Sequence, residues 1–131
     1  MKRLAIDVRP GEYAVVRLPA DAPVPTELFE PGDTLVSVTR TPEELSVICL
    51  AGREPGGATA AEDGWRLLSV RGPLEFTLTG IIAALASELA AAGVALFSIS
   101  TFDTDHILVK AGDLDHAVAA LRESGHDVAR D

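Results

Sequence analysis

Apolar and polar positions are most clearly patterned in the second half of the chain. Leu78, Ile81, Ile82, Leu85 and Leu89 fall at i, i+3, i+4, i+7 and i+11, which is one stripe of a helix with 3.6 residues per turn. Gly93 follows where a left-handed residue closes a helix. A shorter stripe, Leu114, Ala117, Val118 and Leu121, starts after Asp113 and ends at Gly125. Around these stripes lie compact β-rich runs: Trp65 to Arg71 (WRLLSVR), stopped by Gly72-Pro73, then Val94 to Ser100 (VALFSIS) and Asp105 to Lys110 (DHILVK). Thr101, Phe102, Asp103 and Thr104 separate the last two runs, so the pair reads as a hairpin. His126 to Arg130 supplies a final edge strand.

The order over residues 65–131 is therefore β-α-β-β-α-β. In this split arrangement two right-handed crossovers set both helices on one face of a four-stranded antiparallel sheet. The first half reads as a degenerate copy, with strands at Tyr13 to Leu18, Leu35 to Arg40 and Leu45 to Leu50 and a short helical turn near Thr26 to Phe29. Pro19, Pro23, Pro25 and Pro31 crowd the place where its first long helix would lie, and each removes a backbone donor. Arg53 to Gly64, rich in Gly and Ala, is the expected linker or mobile loop. The fold class is thus α+β: tandem ferredoxin-like modules over residues 1–64 and 65–131.

Composition narrows the function classes. The chain has 131 residues, and its 20 Asp and Glu against 11 Lys and Arg leave a net charge of −9. Phosphate backbones and anionic lipid surfaces repel such a chain, so neither nucleic acid nor membrane is an expected partner. The acidity is even: residues 1–64 carry 6 basic and 11 acidic side chains, and residues 65–131 carry 5 and 9. The longest apolar stretch, Ile81 to Ile99, is broken by Ser87, Glu88 and Gly93, and a carboxylate in mid-membrane costs about 2.5–3.5 kcal/mol, so a soluble amphipathic helix is expected. The start, MKRLAIDVRPGEY, has no apolar core of a leader, and the single Cys49 permits no internal disulfide or cysteine-based zinc site. A cytoplasmic setting follows.

Searches for catalytic chemistry return little. His106, His116 and His126 are ten apart in sequence but fall on different elements, and read as three independent, half-exposed side chains. Cys49 lies in an apolar strand with no basic neighbour close in sequence to activate it. Gly-Arg-Glu-Pro-Gly-Gly at 52–57 lacks the spacing and the Lys-Ser/Thr of a phosphate loop. No enzyme activity, metal or cofactor is expected.

Two features remain. Asp103-Thr104-Asp105 is a polar knot in an apolar hairpin, with three readings open: local turn chemistry, contact to a ligand's amino or cationic group, or a divalent ion. Ser98, Ser100 and Thr101 precede it as small hydroxyl residues on the same run. Gly72-Pro73, at the end of a strand just before a helix, is either a plain turn or a loop that presents amides to an anion such as a carboxylate.

The βαββαβ order, the Gly-Pro after its first strand and the phrase SISTFDTDHILVK at 98–110 resemble the ACT domain. The likeness is greatest to the tandem ACT modules of aspartate kinases and of CASTOR-type arginine sensors. It implies a non-catalytic, amino-acid-binding regulatory module with a ligand held at an interface between ACT units. Carried over by position, Gly72, Pro73, Leu74 and Glu75 line one side of the site and Ser98, Ile99, Ser100 and Thr101 the other. Asp103 and Asp105 are the contacts for an amino or guanidinium group. Dimerisation with a second copy and a regulated partner protein are further expectations, because exposed sheet edges invite pairing. The alternative is an adaptor that keeps the fold around a vestigial pocket.

Overall fold

A computed structural model of the protein describes residues 3–74 and 80–130. In chain order the strands are β1 (Ala5–Val8), β2 (Tyr13–Leu18), β3 (Ser37–Arg40), β4 (Leu45–Leu50), β5 (Ala60–Val70), β6 (Phe97–Ser100), β7 (Asp105–Lys110) and β8 (Asp127–Ala129). Helices α1 (Ile81–Ala91) and α2 (Leu114–Glu123) complete the order, with single 3₁₀ turns at Thr26–Phe29 and Ala111–Asp113. These elements fall into two compact units: Gly11–Trp65, and Met1–Pro10 together with Arg66–Asp131.

In the larger unit β5, α1, β6, β7, α2 and β8 follow one another as the apolar pattern predicts. The sheet has one strand more than that pattern supplies. Its order is β6-β7-β5-β1-β8, with the N-terminal strand β1 set between β5 and β8. Ile6 faces Val70 and Val8 faces Leu68 in the antiparallel β1–β5 ladder, while β1 runs parallel to β8 with Ile6 opposite Val128. Alternation within β1 explains the insertion: Ile6 and Val8 are buried and Asp7 is not. Both helices cover one face of this sheet, where Ile6, Val8, Leu68, Val70, Ile107 and Val109 form one core with Ile81, Leu85, Leu89, Leu114, Val118 and Leu121.

Both helices stop in the same way. Gly93 (φ 77°) and Gly125 (φ 97°) take the left-handed conformation. The amides of Val94 and His126 then reach back to the carbonyls of Leu89 (2.9 Å) and Leu121 (3.1 Å), and those of Gly93 and Gly125 to Ala90 and Arg122 (3.0 Å each). These paired bonds satisfy carbonyls that the helix itself cannot. Asp113 precedes α2 as expected, but its side chain makes no capping bond and a 3₁₀ turn leads into the helix instead. Leu78, expected on the α1 stripe, lies outside the described residues.

The smaller unit contains β2, β3, β4 and the first part of β5 in the order β3-β4-β2-β5, all antiparallel. Its core is Ala14, Val16, Leu18, Leu28, Leu45, Val47 and Cys49. The proline-rich stretch makes one 3₁₀ turn that buries Leu28, and no α-helix occurs among the described residues of this unit. The Arg40 guanidinium binds the carbonyls of Ala20 and Ala22 (2.7 Å to the latter), serving oxygens that a helix would have paired internally. The expected linker 53–64 needs correction, because Ala60 to Gly64 is the start of β5 and pairs with β2. Gly64 (φ 75°) lies where the β2–β5 register shifts, and this conformation lets an extra residue bulge out while the ladder continues.

Candidate functional site

The turn 101–104 and the loop that begins at Gly72 come together in the larger unit. The Leu74 amide donates to the Asp103 carbonyl at 2.7 Å, and the Thr104 hydroxyl donates to the Val70 carbonyl at 2.7 Å. Thr101 closes the hairpin, its amide reaching the Thr104 carbonyl at 2.9 Å and its hydroxyl the same oxygen at 3.1 Å. The approach favours glycine at position 72, since a Cβ there would stand 3.0 Å from both the Asp103 carbonyl oxygen and the Thr104 Cβ and the turn would have to give by a few tenths of an ångström. The Gly72-Pro73 peptide is cis. Thr104, which the sequence reading left unassigned, is thus the hydroxyl that fastens the turn to β5. Only its place inside a polar turn hinted at such a role.

Ser98, Ile99 and Ser100 lie on β6, whose ladder to β7 pairs Ser98 with Ile107, Ile99 with His106 and Ser100 with Asp105. Among the described residues β6 pairs with no other strand, so it forms an edge of the sheet. Ser98, Ser100 and Thr101 are exposed and Ile99 is half-buried. The two aspartates differ. Asp105 accepts a 2.5 Å bond from the Ser100 hydroxyl, while the exposed Asp103 side chain makes no hydrogen bond or ion pair among the described residues. Glu75 lies outside the described residues. The N-terminus of α1, in the same unit, follows Gly80, has no side-chain cap and carries no acidic residue in its first turn.

The cation next to this loop is already engaged. Arg71 grips Asp7 through Nη2–Oδ1 (2.6 Å) and Nε–Oδ2 (3.2 Å), and the hydrogen bond together with the guanidinium charge holds the Asp7 carboxyl below the ordinary value of 3.8. A solvent-exposed fork of this kind adds little to stability, so its main effect is to fix the direction of the strand end. Nucleophile chemistry finds no support: Cys49 is buried on β4 and burial raises its thiol pKa. No group of three or more His, Cys, Asp or Glu able to hold a metal ion occurs among the described residues. An open groove of 640 Å³ lies between α1 and α2, lined by Ser87, Glu88, His116, Glu123, Ser124 and neighbouring alanines, and none of the sequence-predicted site residues faces it.

The three histidines do have separate surroundings, but the expectation that all are half-exposed fails for His126. It is buried, its Nδ1 accepts the Leu4 amide at 3.1 Å, and its Nε2 bonds Glu88 Oε1 at 2.9 Å. This arrangement places the ring proton on Nε2, as the tautomer that donates to the carboxylate. His106 is half-buried, with Nδ1 2.8 Å from the Ser69 hydroxyl. Burial, assisted by Arg9 and opposed by Asp105, lowers its pKa from 6.5. Because the folded state disfavours the protonated ring, its contribution to stability is complete above about pH 6.5 and is lost as pH falls below that. Urea titrations at pH 7 and pH 5 will show lower stability at pH 5, and His106→Gln will narrow the gap between them. An unchanged gap would remove His106 as the cause.

The profile of the ACT domain matches residues 60–123, and a second profile, described as an N-terminal domain, matches residues 11–56. The Homo sapiens protein named cytosolic arginine sensor for mTORC1 subunit 1 is 36% identical over 66 residues, covering 50% of this chain and 20% of that protein. Its Bos taurus counterpart is 39% identical over 59 residues, covering 44% and 18%. The chain thus spans about a fifth of the length of these relatives. The crystal structure of protein Atu0741 from Agrobacterium tumefaciens superposes with a TM-score of 0.89 at 34% identity, covering 100% of this chain and 96% of the other. The ligand-free regulatory subunit of aspartate kinase from Thermus thermophilus aligns over 95% of this chain and 99% of its own with a TM-score of 0.64, and at 11% identity that likeness concerns the fold.

Proposed function

The chain belongs to one family with the Agrobacterium protein and carries an ACT domain over residues 60–123, and from that premise we propose a regulatory module that binds a free amino acid and catalyses no reaction. The observation that carries this reading is the close seating of the Gly72–Leu74 loop on the Asp103–Thr104 turn, beside the exposed hydroxyls of β6. In this reading, the uncapped N-terminus of α1 receives the ligand carboxylate. Asp103 takes the ammonium or a cationic side chain, with Asp105 held ready by Ser100. Ser98, Ile99 and Thr101 complete the lining. The name of the arginine-sensor relatives supports a basic amino acid as ligand, and their cytosolic label supports a cytoplasmic site of action.

We further propose that the site is finished by a second ACT surface, supplied by another copy of the chain across the edge of β6. No helix among the described residues is long and apolar enough to cross a membrane. The second reading, an adaptor whose pocket is vestigial and whose surface engages a partner protein, is favoured by Phe97 and Phe102, both exposed around this hairpin.

Thermal unfolding of the full chain in the presence of each of the twenty amino acids separates the two. A ligand present at 100 times its dissociation constant stabilises the folded state by about 2.7 kcal/mol, which is readily measured as a rise in Tm. A rise with a basic amino acid is the expected result, with Asp103→Asn reducing it more than it reduces any rise with a neutral one. Indifference to all twenty would overturn the sensor reading in favour of the adaptor.

A further inference from the structure

The smaller unit exposes an apolar segment that the candidate ligand site does not use. Among the described residues Val24 is 44% and Phe29 50% exposed, and both belong to the 3₁₀ turn Thr26–Phe29 or its approach. Exposed apolar side chains scattered singly are ordinary, whereas two on one short segment mark a surface for a partner. The backbone that carries them is braced. The Thr26 amide donates to the Val24 carbonyl at 2.8 Å and the Leu28 amide to the Pro25 carbonyl at 3.1 Å, while the Leu28 side chain is buried in the core below. Pro23, Pro25 and Pro31 fix φ along the same stretch, so little chain entropy remains to be lost on binding. Charge identifies the occupant. Between Arg17 and Arg40 the chain has four acidic residues, Asp21, Glu27, Glu30 and Asp33, and no Lys or Arg. Glu27 and Glu30 flank the Leu28-Phe29 pair, are exposed, and their carboxylates make no hydrogen bond or ion pair among the described residues. The guanidinium groups that reach this segment bind backbone oxygens instead: Arg40 those of Ala20 and Ala22, and Arg53 that of Glu27 at 3.4 Å.

We propose that residues 24–30 form a docking surface for a partner protein, and that the segment it receives combines an apolar side chain with Lys or Arg. The apolar side chain covers Phe29 and Val24, and the cations meet Glu27 and Glu30. A second copy of the chain would set these carboxylates against their own kind, and nucleic acid or an anionic lipid surface would be repelled as well. All the residues of this surface belong to the smaller unit, so the assignment stands or falls independently of the amino-acid site on the larger one.

The test is selection of short peptides from a random phage-displayed library by the full chain, followed by fluorescence-polarisation titration of the recovered peptides. They are expected to pair Leu, Phe or Trp with Lys or Arg. Phe29→Ser weakens them about fivefold or more, as truncation of an interface aromatic does. The double variant Glu27→Gln/Glu30→Gln also weakens them, and it makes the remaining affinity less sensitive to salt. Glu12→Gln/Glu123→Gln, which removes the same charge from other exposed positions, changes affinity less than twofold. Tm close to that of the parent confirms that each variant folds, and the two glutamine variants alter only exposed carboxylates. The docking assignment is overturned if no peptide is recovered, if the recovered peptides lack basic residues, or if they bind Phe29→Ser as well as the parent. Equal weakening by the two glutamine variants overturns it too, since the attraction would then be to net charge alone. A concentration-dependent dimer that Phe29→Ser abolishes would give the surface to a second copy and overturn it as well.

Discussion

Replacing His126 with alanine lowers the unfolding free energy by about 2–4 kcal/mol, measured by urea titration near neutral pH. The side chain is completely enclosed, and two polar groups depend on it: the Leu4 amide, which donates to Nδ1 at 3.1 Å, and the Glu88 carboxylate, which receives Nε2–H at 2.9 Å. Removing a buried partner leaves the other group desolvated and unbonded, at a cost of about 1–3 kcal/mol for a neutral group and more for a charged one. Two companion variants apportion the loss. Glu88→Gln retains an acceptor for Nε2–H and should cost the least. His126→Asn puts an oxygen near the Nδ1 position, keeps the Leu4 bond and should fall between the two. If His126→Ala costs no more than Glu88→Gln, the bond to Leu4 contributes nothing and the tautomer inferred from it loses its support.

Leu85→Ala should be at least as damaging, at about 2–5 kcal/mol. Leu85 is fully buried in the core where α1 meets the sheet, among Ile81, Leu89 and the residues of α2. The substitution removes transfer free energy and leaves a cavity that rigid strands cannot refill. Against a typical total of about 5–15 kcal/mol this is a large fraction. The urea midpoint should fall while the slope stays the same, since the surface exposed on unfolding is little altered. Ala90→Ser on the exposed face of the same helix is the control, expected within about 0.5 kcal/mol. A loss below 1 kcal/mol for Leu85→Ala would mean that α1 does not pack on the sheet as described.

What could be read from the chain and what could not divide along physical lines. The stripes of α1 and α2 were legible because one face of each is leucine-rich and a glycine follows each end, and both glycines do take the left-handed conformation. The 98–110 hairpin was legible from its hydroxyl and β-branched residues around a polar turn. β1 was not, because Ala5–Val8 has only two buried side chains, and its partners Val70 and Val128 lie 64 and 122 positions away. Local pattern does not report a strand whose reason for forming is an empty slot in a sheet built by later residues. The first part of β5 was taken for a linker for the opposite reason: Ala60 to Gly64 has loop-like composition, and pairing with β2 overrides it. At the candidate site, Gly72 and the aspartates were found by residue type. The bonds that bring them together, Leu74 to Asp103 and Thr104 to Val70, join segments about thirty residues apart and became visible only in three dimensions. His126 was misjudged because a histidine near a chain's last strand is usually wet, and nothing local announces the Leu4 amide that encloses it.

The position of β1 also constrains when the molecule can take shape. Ala5 pairs with Asp127 and Asp7 with Ala129, so β1 leaves the ribosome well before the β8 residues that close these hydrogen bonds. The smaller unit is a contiguous segment, Gly11–Trp65, and all its ladder partners are available once residue 65 has emerged. Synthesis therefore imposes an order: the embedded segment can settle first, while the unit that carries the candidate ligand site is completed only when β8 arrives. Until then β1 can pair with β5 on one side only, and its other edge stays open to a chaperone or to a neighbouring nascent chain.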